Sequence, residues 1–165
     1  MSPPPPALPP HDDRQAREWM RDALEAAREA SAMDEPPVGC VIIDHRGRRV
    51  ARTHDRRRAD ADPLAHAEML AIRQAARDQG DWRMDGMTLV VTLEPCPMCA
   101  GSILMARVGR VIIGAPSPKW GAAGSRADWL GSGCFPHKPE VVRGVLEREC
   151  GEILSRYFEQ VRKKG

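Results

Sequence analysis

The chain has 165 residues, of which 42% are hydrophobic and 29% are charged, so its length and composition suit one globular domain with a sizeable core. Its formal net charge of +2 excludes a uniformly basic surface, although it does not exclude a local basic patch. No stretch approaches the roughly 20 apolar residues of a membrane span, and the N-terminus lacks the apolar run of a signal peptide. We therefore expect a cytoplasmic protein with reduced cysteines, and their odd number, five, argues against a disulfide framework.

The spacing of apolar and turn residues predicts an α/β protein. Residues 1–13 are proline-rich and are predicted to form a disordered extension, followed by a single domain at residues 14–165. The predicted elements are a helix at 14–31, strands at 38–44 and 48–52, a helix at 64–79, a strand at 87–93, a helix at 97–106, strands at 108–114 and 140–143, and a helix at 145–163. This alternation indicates a mixed or parallel sheet with helices on both faces, and such sheets carry their sites at the carboxyl ends of strands.

Two cysteines lie at such a strand end, in the stretch L-E-P-C-P-M-C-A-G from Leu93 to Gly101. Cys96 and Cys99 are three residues apart, and Pro97 between them suits the first turn of a helix. This pair alone is compatible with a thiol oxidoreductase, with two packed core cysteines, or with part of a metal site.

A histidine thirty residues before Cys96 favours the metal site. His66 also lies near the start of a predicted helix, and one histidine with two thiolates supplies three ligands for a tetrahedral zinc. Three protein ligands with one open position are typical of a catalytic zinc, whereas a structural site would have a fourth ligand. The positive ends of the helix dipoles also favour thiolate over thiol at Cys96 and Cys99.

Glu68 completes the predicted catalytic arrangement. It is two residues from His66, so its carboxylate can face the open position without binding the metal. Zinc lowers the pKa of bound water to roughly 7, and a neighbouring carboxylate can take the proton and pass it to a leaving group. An H-x-E motif followed by P-C-x-x-C is the signature of zinc nucleobase deaminases, so the combination predicts hydrolytic loss of ammonia from an amidine-like carbon.

Four motifs resemble one particular family, the bacterial tRNA-specific adenosine deaminases. They are P-L-A-H-A-E-M-L-A-I, V-T-L-E-P-C-P-M-C-A-G-S-I, R-V-G-R-V-I-I-G-A and K-W-G-A-A-G-S, and the resemblance extends from about Trp19 to Lys163. It implies a cytidine deaminase-like three-layer α/β/α sandwich with a central mixed five-stranded sheet, usually as a homodimer. It also implies one zinc per subunit, bound by His66, Cys96 and Cys99, with Glu68 as the proton shuttle. The implied activity converts adenosine to inosine at the wobble position of a tRNA anticodon loop.

Two departures from the family pattern affect the substrate. Asp55 stands where the family usually has an asparagine that hydrogen-bonds the base, and an ionised carboxylate can only accept hydrogen bonds. It would favour a base edge that presents N–H groups, such as that of guanine. Ser117 stands where the family often carries an acidic residue near the target sugar. Trp120, which could stack on a base, and Phe158 on the last helix are further candidates for substrate contact.

Three hypotheses therefore follow from the sequence. The first is deamination of the tRNA wobble adenosine, and the second is a free-base or nucleoside deaminase, with guanine before cytosine. The third is a non-catalytic zinc-binding RNA module, against which Glu68 and the open zinc position both argue. Phosphate contacts would come from the basic residues Arg56, Arg57, Arg58, Arg107, Arg110, Lys119 and Arg162 to Lys164, if these lie near the site.

Overall fold

The computed structural model describes residues 6–164, which contain four helices and five strands. The helices begin where the sequence supplies caps, since the Asp12 carboxylate accepts from the Arg14 amide and Pro97 occupies the first turn of its helix. In chain order the elements are α1 (Asp13–Ala32), β1 (Gly39–Ile43), β2 (Arg49–His54), α2 (Ala67–Gln79), β3 (Thr88–Leu93), α3 (Pro97–Met105), β4 (Arg110–Ala115), β5 (Glu140–Val142) and α4 (Glu147–Lys164).

The five strands form one mixed sheet in the order β2-β1-β3-β4-β5. β1 pairs with β2 and with β3 in antiparallel fashion, whereas β3, β4 and β5 are parallel to one another. The central strands β1, β3 and β4 are buried along nearly their whole length, as expected for strands covered on both faces. The prediction of a mixed five-stranded sheet is confirmed.

Each face of the sheet carries its own apolar core. Side chains that alternate along β1, such as Cys40 and Val41, point to opposite faces, so each strand contributes to both cores. One core joins the sheet to α2 and α3, and the other joins it to α1 and α4. This arrangement is the predicted three-layer α/β/α sandwich. Among the described residues, no helix combines the length and apolar character that a membrane crossing requires.

The N-terminal segment contacts the body of the domain. Residues 6–12 form no helix or strand, but the Pro9 carbonyl accepts a 2.7 Å hydrogen bond from Arg110 at the start of β4. Residues 1–5 of the predicted disordered extension lie outside the described residues, and Asp13 already belongs to α1. Disorder of the extension therefore stays a prediction.

Element boundaries differ from the predicted ones by a few residues at most. The largest shift is at α2, which begins at Ala67 rather than at residue 64, so that Leu64 is exposed instead of lying on the apolar face. The physical reason is the extended backbone of His66, which is the N-cap of α2. This places His66 at the helix start and Glu68 in the first turn.

Candidate metal centre and its rim

Two helix starts bring the predicted ligands together. His66 is the N-cap of α2 and Cys96 is the N-cap of α3, and neither side chain makes a capping hydrogen bond to its own helix. Cys99 lies in the first turn of α3, so both cysteines project from the same helix start. The carboxyl end of β3 leads directly into this helix, as the sequence predicts for a site of this sheet type.

The distances among these side chains fit a tetrahedral zinc ion. His66 Nδ1 lies 3.7 Å from Cys96 Sγ and 3.5 Å from Cys99 Sγ. Zinc bonds of about 2.3 Å to sulfur and about 2.0–2.1 Å to nitrogen, at tetrahedral angles, require an S···N separation of about 3.6 Å. The ligand atoms also all lie within 4.8 Å of one another. Donor type and spacing therefore both suit zinc.

The two cysteines are not equivalent. Hydrogen bonding from Cys99 is the largest cause that lowers the pKa of Cys96 to about 4, and His66 adds to it against the opposing effect of burial. Hydrogen bonding to Cys96, followed by burial, raises the pKa of the Cys99 thiol. One thiolate is thus ready to bind a cation, and the second forms with release of a proton when a metal binds.

Glu68 is buried beside these ligands, with 4% of its surface exposed. Burial is the main cause that raises the pKa of its carboxyl group to about 7. A carboxyl group that titrates near neutrality can both accept and donate a proton at physiological pH. The structure thus places Glu68 in an environment suited to the proton-shuttle role that the sequence predicts.

A second buried carboxylate, that of Glu94, holds the loop at residues 116–125. Its Oε2 accepts from the Ser117 amide at 2.9 Å and from the Ser125 hydroxyl, and its Oε1 accepts from the Ala123 and Ser125 amides at 3.0 Å each. Gly121 packs against the same carboxylate so closely that a Cβ atom there would clash. Burial raises the pKa of Glu94, but these hydrogen bonds outweigh it and lower the pKa below its usual value.

Sequence reasoning missed this function of Glu94. The available signal was an acidic residue directly after a buried strand and two residues before the first cysteine ligand, Cys96. The partners of Glu94 are mostly backbone amides, which leave no mark in the sequence.

Asp55, the predicted base contact, is 2% exposed and is already hydrogen-bonded. Its carboxylate accepts from the Arg57 amide and, through both oxygens, from Arg57 Nε, at 3.1 Å in each case. The Arg56 amide donates to the Ala65 carbonyl, which holds this loop next to His66. Hydrogen bonding to Cys96 raises the pKa of His66, while burial and the nearby positive charge of Arg57 oppose that shift.

The other predicted substrate contacts are side chains outside the metal cluster that are exposed or partly buried. Trp120 is 68% exposed in the loop at 116–125, and Phe158 is 48% exposed on α4, in edge-to-face contact with Tyr157. Ser117 is partly buried, and its amide is bonded to Glu94. Their contact with substrate stays a prediction.

Six of the predicted basic residues fall into two groups. Arg107 and Arg110 lie at the amino-terminal end of β4, opposite the site, where they bond Asp85 and Glu140 respectively. The condition that these two arginines lie near the site is therefore not met, because the parallel strand places them at the other edge of the sheet. Arg56, Arg57, Arg58 and Lys119 do lie in the loops next to the site.

This fold and this cluster together define a class. A mixed five-stranded sheet between two pairs of helices, with one histidine, two cysteines and a buried glutamate at its edge, is the architecture of the zinc-dependent, cytidine deaminase-like hydrolases. A model of the cytidine and deoxycytidylate deaminase zinc-binding region matches residues 13–115. The chain belongs to this deaminase family.

Comparison with individual proteins gives closer matches. The chain is 45% identical to the tRNA-specific adenosine deaminase of Bacillus subtilis over 88% of its own length and 90% of that protein. A solved structure from a study of A-to-I editing by tRNA:A34 deaminases has a TM-score of 0.80 and 42% identity, and the match covers 83% of this chain and 99% of that one. The guanine deaminase of Bacillus subtilis is more distant, with a TM-score of 0.58 and 35% identity over 60% of this chain and 63% of that one.

Proposed function

We propose that this protein hydrolyses the adenosine at the wobble position of tRNA to inosine, with release of ammonia. The observation that carries the chemistry is the convergence of His66, Cys96 and Cys99 at zinc-compatible distances beside buried Glu68. The substrate is supported by the relative named tRNA-specific adenosine deaminase, which this chain matches over nearly its whole length.

His66, Cys96 and Cys99 would hold one zinc ion per subunit. When bound, zinc lowers the pKa of a water molecule to about 7 and so supplies a nucleophile at neutral pH. Glu68 takes the proton of that water and delivers it to the purine ring and the departing amine, so that water and adenosine yield inosine and ammonia. Its raised pKa allows it to act in both directions during one turnover.

The anticodon loop suits this buried site. Its bases are single-stranded, so unstacking the target and turning it into the pocket costs only a few kcal/mol. We propose that Trp120, exposed at the rim, stacks on a base of the loop, and that Ser117 and Phe158 line the path of the target nucleotide.

Guanine is the second candidate substrate, supported by the likeness to a guanine deaminase and by Asp55 at the predicted base contact. Both oxygens of Asp55 already accept hydrogen bonds from Arg57, which leaves the carboxylate less able to receive the N–H groups of guanine. The structure thus weakens the sequence argument for guanine, and wobble adenosine is the better supported substrate.

The test is ammonia release by zinc-loaded protein with an adenosine-wobble anticodon stem-loop and, in parallel, with free guanine. We expect turnover of the stem-loop and a loss of about 10²–10⁴-fold in kcat for Glu68→Ala. Glu152→Ala, which removes an exposed glutamate on α4, is the matched control and should keep full activity. Turnover of guanine alone would overturn the substrate, and normal turnover by Glu68→Ala would overturn the mechanism.

We further propose that the protein is a cytoplasmic homodimer. Besides the family resemblance, the large apolar side chain of Met105, which is 77% exposed at the end of α3, supports a surface that a second copy buries. Sedimentation equilibrium should give a mass near twice 18.3 kDa, and a monomer at micromolar concentration would contradict the proposal.

A further inference from the structure

Three consecutive arginines, Arg56, Arg57 and Arg58, lie in the loop beside the metal centre and are held in different ways. Arg56 donates through Nε and one Nη to the Asp60 carboxylate, and Arg58 donates through Nη1 to the Asp34 carbonyl. Arg57 donates through Nε to Asp55, and the hydrogen bonds described for its side chain leave both Nη groups without a protein acceptor among residues 6–164. Of the three arginines, Arg57 is thus the one whose two Nη groups are both available to a ligand.

In the Asp55–Arg57 pair, the buried carboxylate holds the guanidinium in place through its Nε atom. The Asp55 side chain is 3% exposed and the Arg57 side chain is 40% exposed, so the carboxylate is buried and the guanidinium reaches solvent. A guanidinium fixed through Nε presents its two Nη groups as a fork, and that fork matches the oxygens of a phosphate. The Asp55 amide donates to the carbonyl of Val38, the residue directly before β1, so the backbone of Asp55 is also held in place.

The Asp55–Arg57 pair lies close to the metal centre. The neighbouring Arg56 amide bonds the residue before His66, and the charge of Arg57 acts on the His66 ring. A base that enters the metal centre leaves its sugar and phosphates at the rim. We propose that Arg57, mounted on buried Asp55, binds a backbone phosphate next to the target nucleotide, so that Asp55 acts as a positioning residue and not as the base contact. This inference rests on the proposed function.

Binding of stem-loops with single phosphates neutralised tests the proposal. Each phosphodiester flanking the target adenosine is replaced in turn by a methylphosphonate, and binding is measured by fluorescence anisotropy with zinc-loaded Glu68→Ala protein. We expect Arg57→Ala to weaken binding of the natural stem-loop about tenfold. At one flanking position, the methylphosphonate should weaken binding to the protein with Arg57 by a similar factor and to the Arg57→Ala protein hardly at all.

The salt dependence separates a phosphate contact from a structural effect. Loss of one phosphate contact should make the slope of log K against log salt shallower by about 0.7–0.9 for Arg57→Ala. Arg77→Ala removes an equal charge at the far end of α2, about ten residues from His66, and should leave both slope and affinity unchanged. Equal factors for the methylphosphonates with and without Arg57, or an unchanged slope, would overturn the proposal.

The Asp55→Asn variant tests whether the Asp55 carboxylate positions Arg57. It keeps the size of the side chain but leaves only one oxygen for Arg57 Nε, so we expect an affinity between those of the unaltered and Arg57→Ala proteins, with the same loss of phosphate dependence. If Asp55→Asn instead gains or loses guanine turnover with an unchanged salt slope, Asp55 contacts the base directly. That result would overturn the inference. Turnover of the natural stem-loop by the protein with Glu68 intact is recorded in parallel. Its absence would refute the proposed function, while the binding data would still decide the phosphate contact.

Discussion

The metal centre is surrounded by a rim, formed by the loops at residues 55–65 and 116–125. The centre and the rim are built from different kinds of interaction. At the centre, His66, Cys96 and Glu68 project from two helix starts that the sheet holds at fixed positions. At the rim, the loops are held by carboxylates, since Glu94 binds three backbone amides and Asp55 binds the side chain of Arg57. The difference shows that the predicted ligands are positioned by two helix starts, whereas the conformations of the neighbouring loops depend on two buried carboxylates.

The largest effect is expected from removal of a ligand at the centre. Cys99→Ala should lose both bound zinc and measurable turnover, because a two-ligand site holds the ion weakly. Cys134→Ala, at an exposed cysteine, is the control and should retain both. Metal analysis after dialysis, alongside ammonia release, checks the prediction. Stoichiometric zinc in the Cys99→Ala protein would mean that the ligand set is wrong.

The next effect concerns the rim and the carboxylate of Glu94. Glu94→Ala leaves three loop amides without their acceptor, so we expect a loss of about 3 kcal/mol in the free energy of unfolding. Activity should fall as well, because the loop at residues 116–125 carries Ser117 and Trp120. The pKa of Glu94 is lowered in the folded protein, so its contribution is present at neutral pH and is lost as the pH falls below its ordinary value of 4.5.

Urea unfolding at pH 7 and pH 4 measures this effect. The difference between the unaltered and Glu94→Ala proteins should narrow at the lower pH. Glu94 and the exposed residue Glu147 line one surface cavity. Glu147→Gln is therefore the control, and it should leave the free energy of unfolding unchanged at both pH values. Equal differences at the two pH values would show that Glu94 acts by packing and not by charge.

The centre should show the opposite pH dependence in zinc-free protein. The pKa of Glu68 is about 7 in the folded state against an ordinary value of 4.5, so stability falls as the pH rises through this interval. Glu68→Gln removes the buried charge, and we expect it to stabilise zinc-free protein by about 2–3 kcal/mol at pH 8. Thermal unfolding in the presence of a chelator checks this. The difference in stability between the Glu68→Gln and unaltered proteins should shrink towards pH 5. A destabilised Glu68→Gln protein at pH 8 would contradict the prediction.

The sequence predicted the centre better than the rim for a physical reason. His66, Cys96, Cys99 and Glu68 occupy helix starts, and strand and helix periodicity locates such starts to within a few residues. The order of elements followed from the same periodicity, whereas the mixed five-stranded sheet followed from the family resemblance. The carboxylate of Glu94, by contrast, is satisfied mainly by backbone amides, which any residue type supplies.

Charge at the rim was equally hard to predict. The run Arg56 to Arg58 indicated a positive surface, but each arginine has an acceptor in the fold. Only the structure shows that no hydrogen bond described among residues 6–164 engages the two Nη groups of Arg57. Arg110 was a candidate for phosphate contact only on the condition that it lay near the site. The parallel register places it at the opposite edge, where it bonds Glu140 and Pro9.

The smallest effect separates stacking from charge at the rim. Trp120→Ala should weaken binding of the anticodon stem-loop about tenfold, since stacking of one base on an aromatic ring is worth about 1–3 kcal/mol. Its salt slope should not change, in contrast to Arg57→Ala, because no charge is removed. Trp82→Ala alters a similarly exposed tryptophan in the turn that precedes β3, and it should bind as the unaltered protein does. If Trp82→Ala and Trp120→Ala weaken binding equally, the RNA does not approach through the loop at residues 116–125.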